Sequence, residues 1–89
     1  MENILDFFET TEEKMFKVAN KIKEVRKTRG ISQEVLANMS GVSFGSIKRF
    51  ERTGEISLYS LLKIMNTLKI NFDLTIVEEK SQKSGFYDE

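Results

Sequence analysis

Between Ser43 and Thr53 the chain places Ser46, Lys48, Arg49 and Arg52, so that eleven residues hold three hydroxyls, three cations and a single acid, Glu51. Hydroxyl and ammonium groups donate to phosphate oxygens, and a guanidinium can bond O6 and N7 of one guanine together. The chemistry on offer is recognition of a polyanion, not the making of bonds. Arg49 is the candidate for base readout, with a phosphate contact or plain solvent exposure as its alternatives. Lys48, Arg52 and Thr53 suit backbone contacts, with Lys27 and Arg29 as secondary candidates of that kind. Ser43 and the amides after it would make a helix N-terminus, which seats a phosphate and equally serves as an ordinary cap. Phe44 either packs on thymine methyl groups or closes over its own core. Gly45 costs a helix about 1 kcal/mol relative to alanine, which makes sense where backbone must approach DNA closely.

Other chemistries are poorly supplied. The 89 residues contain neither cysteine nor histidine, which removes disulfides and thiolate or imidazole metal ligands, and the acids are scattered. No glycine-rich phosphate loop is present, so we expect no catalytic residues, no metal and no cofactor. The N-terminus lacks a basic segment followed by an apolar run, and no membrane span is visible, which places the expected location in the cytoplasm.

The overall net charge of zero hides a segregation. Residues 1 to 16 hold five acids against Lys14, whereas residues 17 to 54 hold nine Lys or Arg against Glu24, Glu34 and Glu51. Residues 55 to 89 return to a balance of minus two. A basic middle between acidic ends is the pattern of an electrostatic footprint on one face, or else of an ordinary solvated helix surface.

Helices must hold these side chains, and the sequence signals where they begin. Thr10 followed by Glu13 reads as a capping box opening a long helix with an apolar stripe of Met15, Val18, Ala19, Ile22 and Val25, ended by Gly30. One pattern then recurs three times: an apolar residue, a capping serine, and an apolar residue five positions after the first. Ile31-Ser32 with Leu36, Val42-Ser43 with Ile47, and Ile56-Ser57 with Leu61 predict helices beginning at Gln33, Phe44 and Leu58. Gly41 is placed to end the first of these in a left-handed conformation, and Gly54 falls in the loop after the second. Leu58, Leu61, Leu62, Met65 and Leu68 give the last helix its apolar face. Ser32 and Ser43 stand eleven residues apart around the turn at Gly41-Val42, which matches a helix-turn-helix unit. Val35, Leu36, Met39, Ile47 and Phe50 are its expected inward-facing residues.

With these residues in view, the stretch from Ile22 to Leu68 resembles the DNA-binding domains of the lambda-repressor-like, or Xre-type, family. The matching pieces are Ile22-Lys23-x-x-Arg26, Gly30-Ile31-Ser32-Gln33-Glu34-x-Leu36-Ala37, Gly41-Val42-Ser43, Ser46-Ile47-x-x-Phe50-Glu51 and Leu61-Leu62-x-Ile64. The resemblance implies an all-α bundle that binds operator DNA, usually as a symmetric dimer regulating transcription. It also implies that Gln33 bonds a phosphate and that Arg26 pairs with Glu51 as a structural salt bridge. Position 44 departs from the pattern, since relatives usually carry a polar base reader where this chain has Phe44.

From Ile70 the sequence alternates apolar and polar residues to Ile76, a strand signal, with a fifth helix capped by Asn71 as the alternative. A lone strand would leave backbone groups unpaired, so we expect it to pair with its copy and to bury Ile70, Phe72, Leu74 and Ile76 against the helices, the alternative being an intrachain hairpin with the N-terminal segment. Such an arrangement is similar to the HipB-like antitoxin branch of the family. The expected organisation is an acidic and apolar segment over 1–11, the helix-turn-helix domain over 12–69, a dimerisation strand over 70–78 and a flexible tail over 79–89. The function expected is a dimeric repressor on double-stranded DNA. The alternative is an antitoxin that neutralises a toxin or other protein partner, engaging it through Ile4, Leu5, Phe7 and Phe8 or through Phe86 and Tyr87. A helix-turn-helix fold kept only for protein interaction is the third reading, and Lys48, Arg49 and Arg52 speak against it.

Overall fold

Every helix start predicted from a hydroxyl side chain is present. In a computed structural model, which describes residues 9–76, the chain forms α1 (Thr11–Thr28), α2 (Gln33–Ser40), α3 (Phe44–Thr53) and α4 (Leu58–Thr67). The Thr10 hydroxyl accepts from the Glu13 amide at 3.0 Å while the Glu13 carboxylate accepts from the Thr10 amide at 3.0 Å, a complete capping box. Ser32, Ser43 and Ser57 accept from the amides of Val35, Ser46 and Ser60 at 3.0 to 3.1 Å. Each bond satisfies an amide that the helix itself leaves unpaired.

The ends are equally local. After α1, Gly30 adopts φ +70°, its amide donates to the Lys27 carbonyl, and the Ile31 amide donates to the Arg26 carbonyl. This is a Schellman closure. Lys69 takes the same role after α4 with φ +60°, sending its amide to Asn66 and that of Ile70 to Met65. Lys63 Nζ lies 3.4 Å from the Gly41 carbonyl at the end of α2, where the helix dipole favours a cation.

α1 packs on α3, and α2 packs on both α3 and α4. The shared core is built on Phe50, Leu36, Ile47, Ile64 and Leu68, all fully buried, with Ala19, Ile22, Val42 and Met65 around them. Burial of each large side chain contributes roughly 1.5–3 kcal/mol. Some expected inward faces are corrected. Val35 and Met39 are exposed, because eight-residue α2 turns Gln33, Leu36, Ala37 and Ser40 inward and leaves positions 35 and 39 about 100° away. Val18 is exposed likewise, since the buried line of α1 runs through Ala19, Ile22 and Arg26. Leu58 is exposed at the first turn of α4, and Ile64 supplies the core side chain instead.

Residues 70–76 form neither helix nor ladder, and no strand occurs among the described residues. The helical alternative for this stretch is therefore not found. Ile70 packs on the core, whereas Phe72, Leu74 and Ile76 are 51%, 79% and 82% exposed instead of buried against the helices. The rest of the expected strand, the acidic segment's Ile4, Leu5, Phe7 and Phe8, and the tail with Phe86 and Tyr87 lie outside the described residues. Among those described, no helix is long and apolar enough to cross a membrane.

Gly54 performs two tasks at once. Its φ is +85°, and a Cβ there would lie 2.9 Å from the backbone carbon of Met15. Gly30 shares the positive φ but has open space around it. Gly54→Ala should therefore destabilise by about 2–4 kcal/mol and Gly30→Ala by about 1–2 kcal/mol. Urea unfolding of the two variants side by side separates the close approach of α1 from left-handed strain alone.

Candidate nucleic-acid interface

The inner edge of α3 is spent on structure. Arg26 at the end of α1 sends Nε to Glu51 Oε2 at 2.8 Å and Nη2 to Glu51 Oε1 at 2.9 Å, a two-pronged pair buried in the core. Its remaining nitrogen, Nη1, donates to the Ile31 carbonyl at 2.7 Å. Gln33 Nε2 donates to Glu51 Oε1 at 2.9 Å. One carboxylate thus gathers α1, the entry to α2, and α3. No buried side-chain nitrogen or oxygen among the described residues lacks a partner.

Burial acts to raise the Glu51 pKa, but the hydrogen bonds from Arg26 and Gln33 and the positive charges of Arg26 and Lys23 outweigh it, and the net shift is downward. Charged acceptors of charge-assisted bonds behave this way.

The outer edge is free of the core. With Ile47, Phe50 and Glu51 turned inward, Phe44, Gly45, Ser46, Lys48, Arg49, Arg52 and Thr53 are all exposed. Phe44 does not close over the core: it is 38% exposed, and Lys48 Nζ sits 5.0 Å from its ring centre. The Ser43 hydroxyl, besides capping, donates to the Ser46 hydroxyl at 2.8 Å. Thr53 Oγ1 donates to the Arg49 carbonyl at 2.8 Å and accepts from the Glu55 amide at 3.1 Å, so its hydroxyl is engaged within the chain. Arg49 pairs with Glu55. Arg52 lines a shallow groove with Glu12, Glu13, Phe16 and Thr53.

Gln33 lies at the first position of α2, half-buried, with its amide nitrogen turned to Glu51. Arg29 is committed elsewhere, since its guanidinium bonds the Leu68 carbonyl and ties α1 to the end of α4. Lys27 is exposed on α1. Sequence reasoning missed the Arg49–Glu55 and Gln33–Glu51 contacts. The Phe44–Lys48 contact had a signal in the four-residue spacing, which stacks two side chains on one helix face.

Two short helices joined at Gly41, the second held by its inner edge and exposing a basic, hydroxyl-rich outer edge, define a DNA-binding helix-turn-helix domain. The family model described as Helix-turn-helix matches residues 22–74. That is more than half of the chain, and the chain belongs to this family of lambda-repressor-like, Xre-type regulators. It is a family of DNA-binding regulatory domains and not of catalysts. No curated protein gave a match.

The buried pair makes stability depend on pH with a definite sign. The unfolded chain, whose Glu51 has the ordinary pKa, takes up the proton first as pH falls. The contribution of Glu51 is therefore complete above the ordinary value and is lost as pH falls through the lowered folded value. Glu51→Gln should lose about 3 kcal/mol at neutral pH by leaving Arg26 unpaired. Its unfolding free energy should fall less steeply than that of the parent between about pH 5 and pH 3. Urea titrations across that range measure both effects.

Proposed function

We propose that the protein is a sequence-specific repressor that binds operator DNA as a symmetric dimer, with α3 in the major groove. The observation that carries this reading is Gly45. Its φ is not positive, and a Cβ there would meet nothing within 4 Å, so the fold itself has no need of glycine at this exposed helical position. A partner that presses against the backbone does need it, and the neighbouring cations make that partner a polyanion.

In this arrangement Arg49 reads a guanine, and Phe44 offers its exposed ring to thymine methyl groups. Ser43, Ser46 and the free amides at the start of α3 meet a phosphate, as does Gln33 at the start of α2. Lys48, Arg52 and the loop at Thr53 follow the backbone. Phe72, Leu74 and Ile76 recur at every second position of an exposed, non-helical segment, the spacing that would line one face of an antiparallel ribbon between two copies. The two-fold axis would set two copies of α3 about one DNA turn, roughly 34 Å, apart. A dimer seated on one face of an operator excludes other proteins from that groove, and this occlusion is the mechanism of repression.

Selection from a randomised duplex library should return a two-fold symmetric consensus, bound with an affinity that falls steeply as salt rises. Gly45→Ala should stabilise the free protein by up to about 1 kcal/mol while weakening its hold on the selected duplex. Undiminished binding by that variant would remove the close backbone approach. Phe72→Asp should convert the dimer to a monomer in sedimentation experiments at micromolar concentration, and an unchanged mass would sink the ribbon.

A further inference from the structure

Arg49 is the arginine on which base readout turns, and it is not alone on the outer edge of α3. Its Nη2 donates to Glu55 Oε1, in the loop that joins α3 to α4. We propose that Glu55 is a specificity-determining positioning residue, whose carboxylate holds the Arg49 guanidinium in one orientation on the base-reading face. The inference rests on the DNA-binding reading above and deepens it.

Surface ion pairs usually restrain little, because both side chains wander. Here the acid's backbone is tied to the arginine's own. The Glu55 amide donates to Thr53 Oγ1, and that hydroxyl donates to the Arg49 carbonyl. Between them Gly54 is locked in the left-handed region, with its amide on the Phe50 carbonyl at 2.7 Å and its Cα pressed against α1. The loop therefore presents the carboxylate from a fixed point. Arg49 and Glu55 face one another at a shallow groove of about 360 Å³ that is also lined by Ser46, Ile56, Ser57 and Ser60.

The charge fits a specificity device. A carboxylate beside DNA repels phosphate and subtracts from affinity for every sequence. It also engages one nitrogen of the guanidinium and leaves the rest of the fork free, so a guanine in the right place meets an arginine whose rotamers are already restricted. A pose in which Arg49 swings to a phosphate instead breaks the pair and leaves Glu55 facing the polyanion alone. The right base is favoured and the alternatives are penalised by the same contact.

Glu55→Gln keeps the shape and removes the charge. The probes are the duplex that the parent protein selects from a randomised library, single-base-pair variants of that duplex, and a scrambled control. Arg49→Ala identifies the base pair whose recognition depends on Arg49. At that pair, Glu55→Gln should reduce discrimination by about two- to five-fold, the size expected of an exposed ion pair. Discrimination elsewhere should hold, the scrambled duplex should bind more tightly, and the thermal midpoint should not move. In the Arg49→Ala background Glu55→Gln should cause no further loss at that pair, an outcome that a merely structural role or a general charge effect would not produce. Unchanged discrimination at that pair, an equal loss in the Arg49→Ala background, or the absence of any base pair that depends on Arg49 would overturn the proposal while leaving a DNA-binding protein. If the parent protein selects no sequence at all, the DNA-binding reading fails and takes this inference with it.

Discussion

Arg26 and Glu51 are twenty-five residues apart, yet their two parallel hydrogen bonds decide where the rest of the domain sits. The guanidinium is planar and rigid, so a carboxylate that accepts from both Nε and Nη2 fixes direction as well as distance. The third nitrogen holds the Ile31 carbonyl and so the approach to α2, while Gln33 reaches the same carboxylate from the first turn of α2. To the packing of the apolar core the shared carboxylate adds a directional restraint about the axis of α3. That axis must be fixed if side chains on the opposite edge are to meet particular atoms.

α3 consequently divides its residues by the angle at which they leave the helix. Ile47, Phe50 and Glu51 are consumed by the fold, while Phe44, Gly45, Lys48, Arg49 and Arg52 make no demand on it. Ten residues thus carry a buried structural edge and an exposed basic edge without overlap. The loop that follows keeps the two in contact, because Gly54 is wedged against α1 while Thr53 and Glu55 reach back to Arg49.

The helix starts were legible because an N-cap is written within four residues. A hydroxyl three positions before an unpaired amide has no need of distant partners, and Thr10, Ser32, Ser43 and Ser57 all behaved accordingly. Which face each helix buries was less legible. In a helix as short as α2 several apolar stripes fit one pattern, and Val35 and Met39 belong to the one that the packing of α3 and α4 did not choose. The left-handed stop at Lys69 carried no glycine to announce it. At the interface, residue types sufficed to bring Lys48, Arg49 and Arg52 to one exposed edge, but not to pair Arg49 with Glu55. That contact spans a reversal at Gly54 that no helical period describes. The alternation from Ile70 to Ile76 predicted a strand, and none forms, because among the described residues there is no neighbouring strand to satisfy its backbone groups.

The self-contained caps also bear on the order in which the molecule assembles. A capping box at Thr10, serine caps at three helices and a Schellman closure after α1 and again after α4 can each form within a few residues, before any helix meets another. Such turns cost little loop-closure entropy, so the search for the native state begins from segments whose ends are already marked. What remains is to close the long loop between Arg26 and Glu51 and the longer one between Arg29 and the Leu68 carbonyl. A fold whose turns and caps are this local has the kind of topology associated with rapid folding.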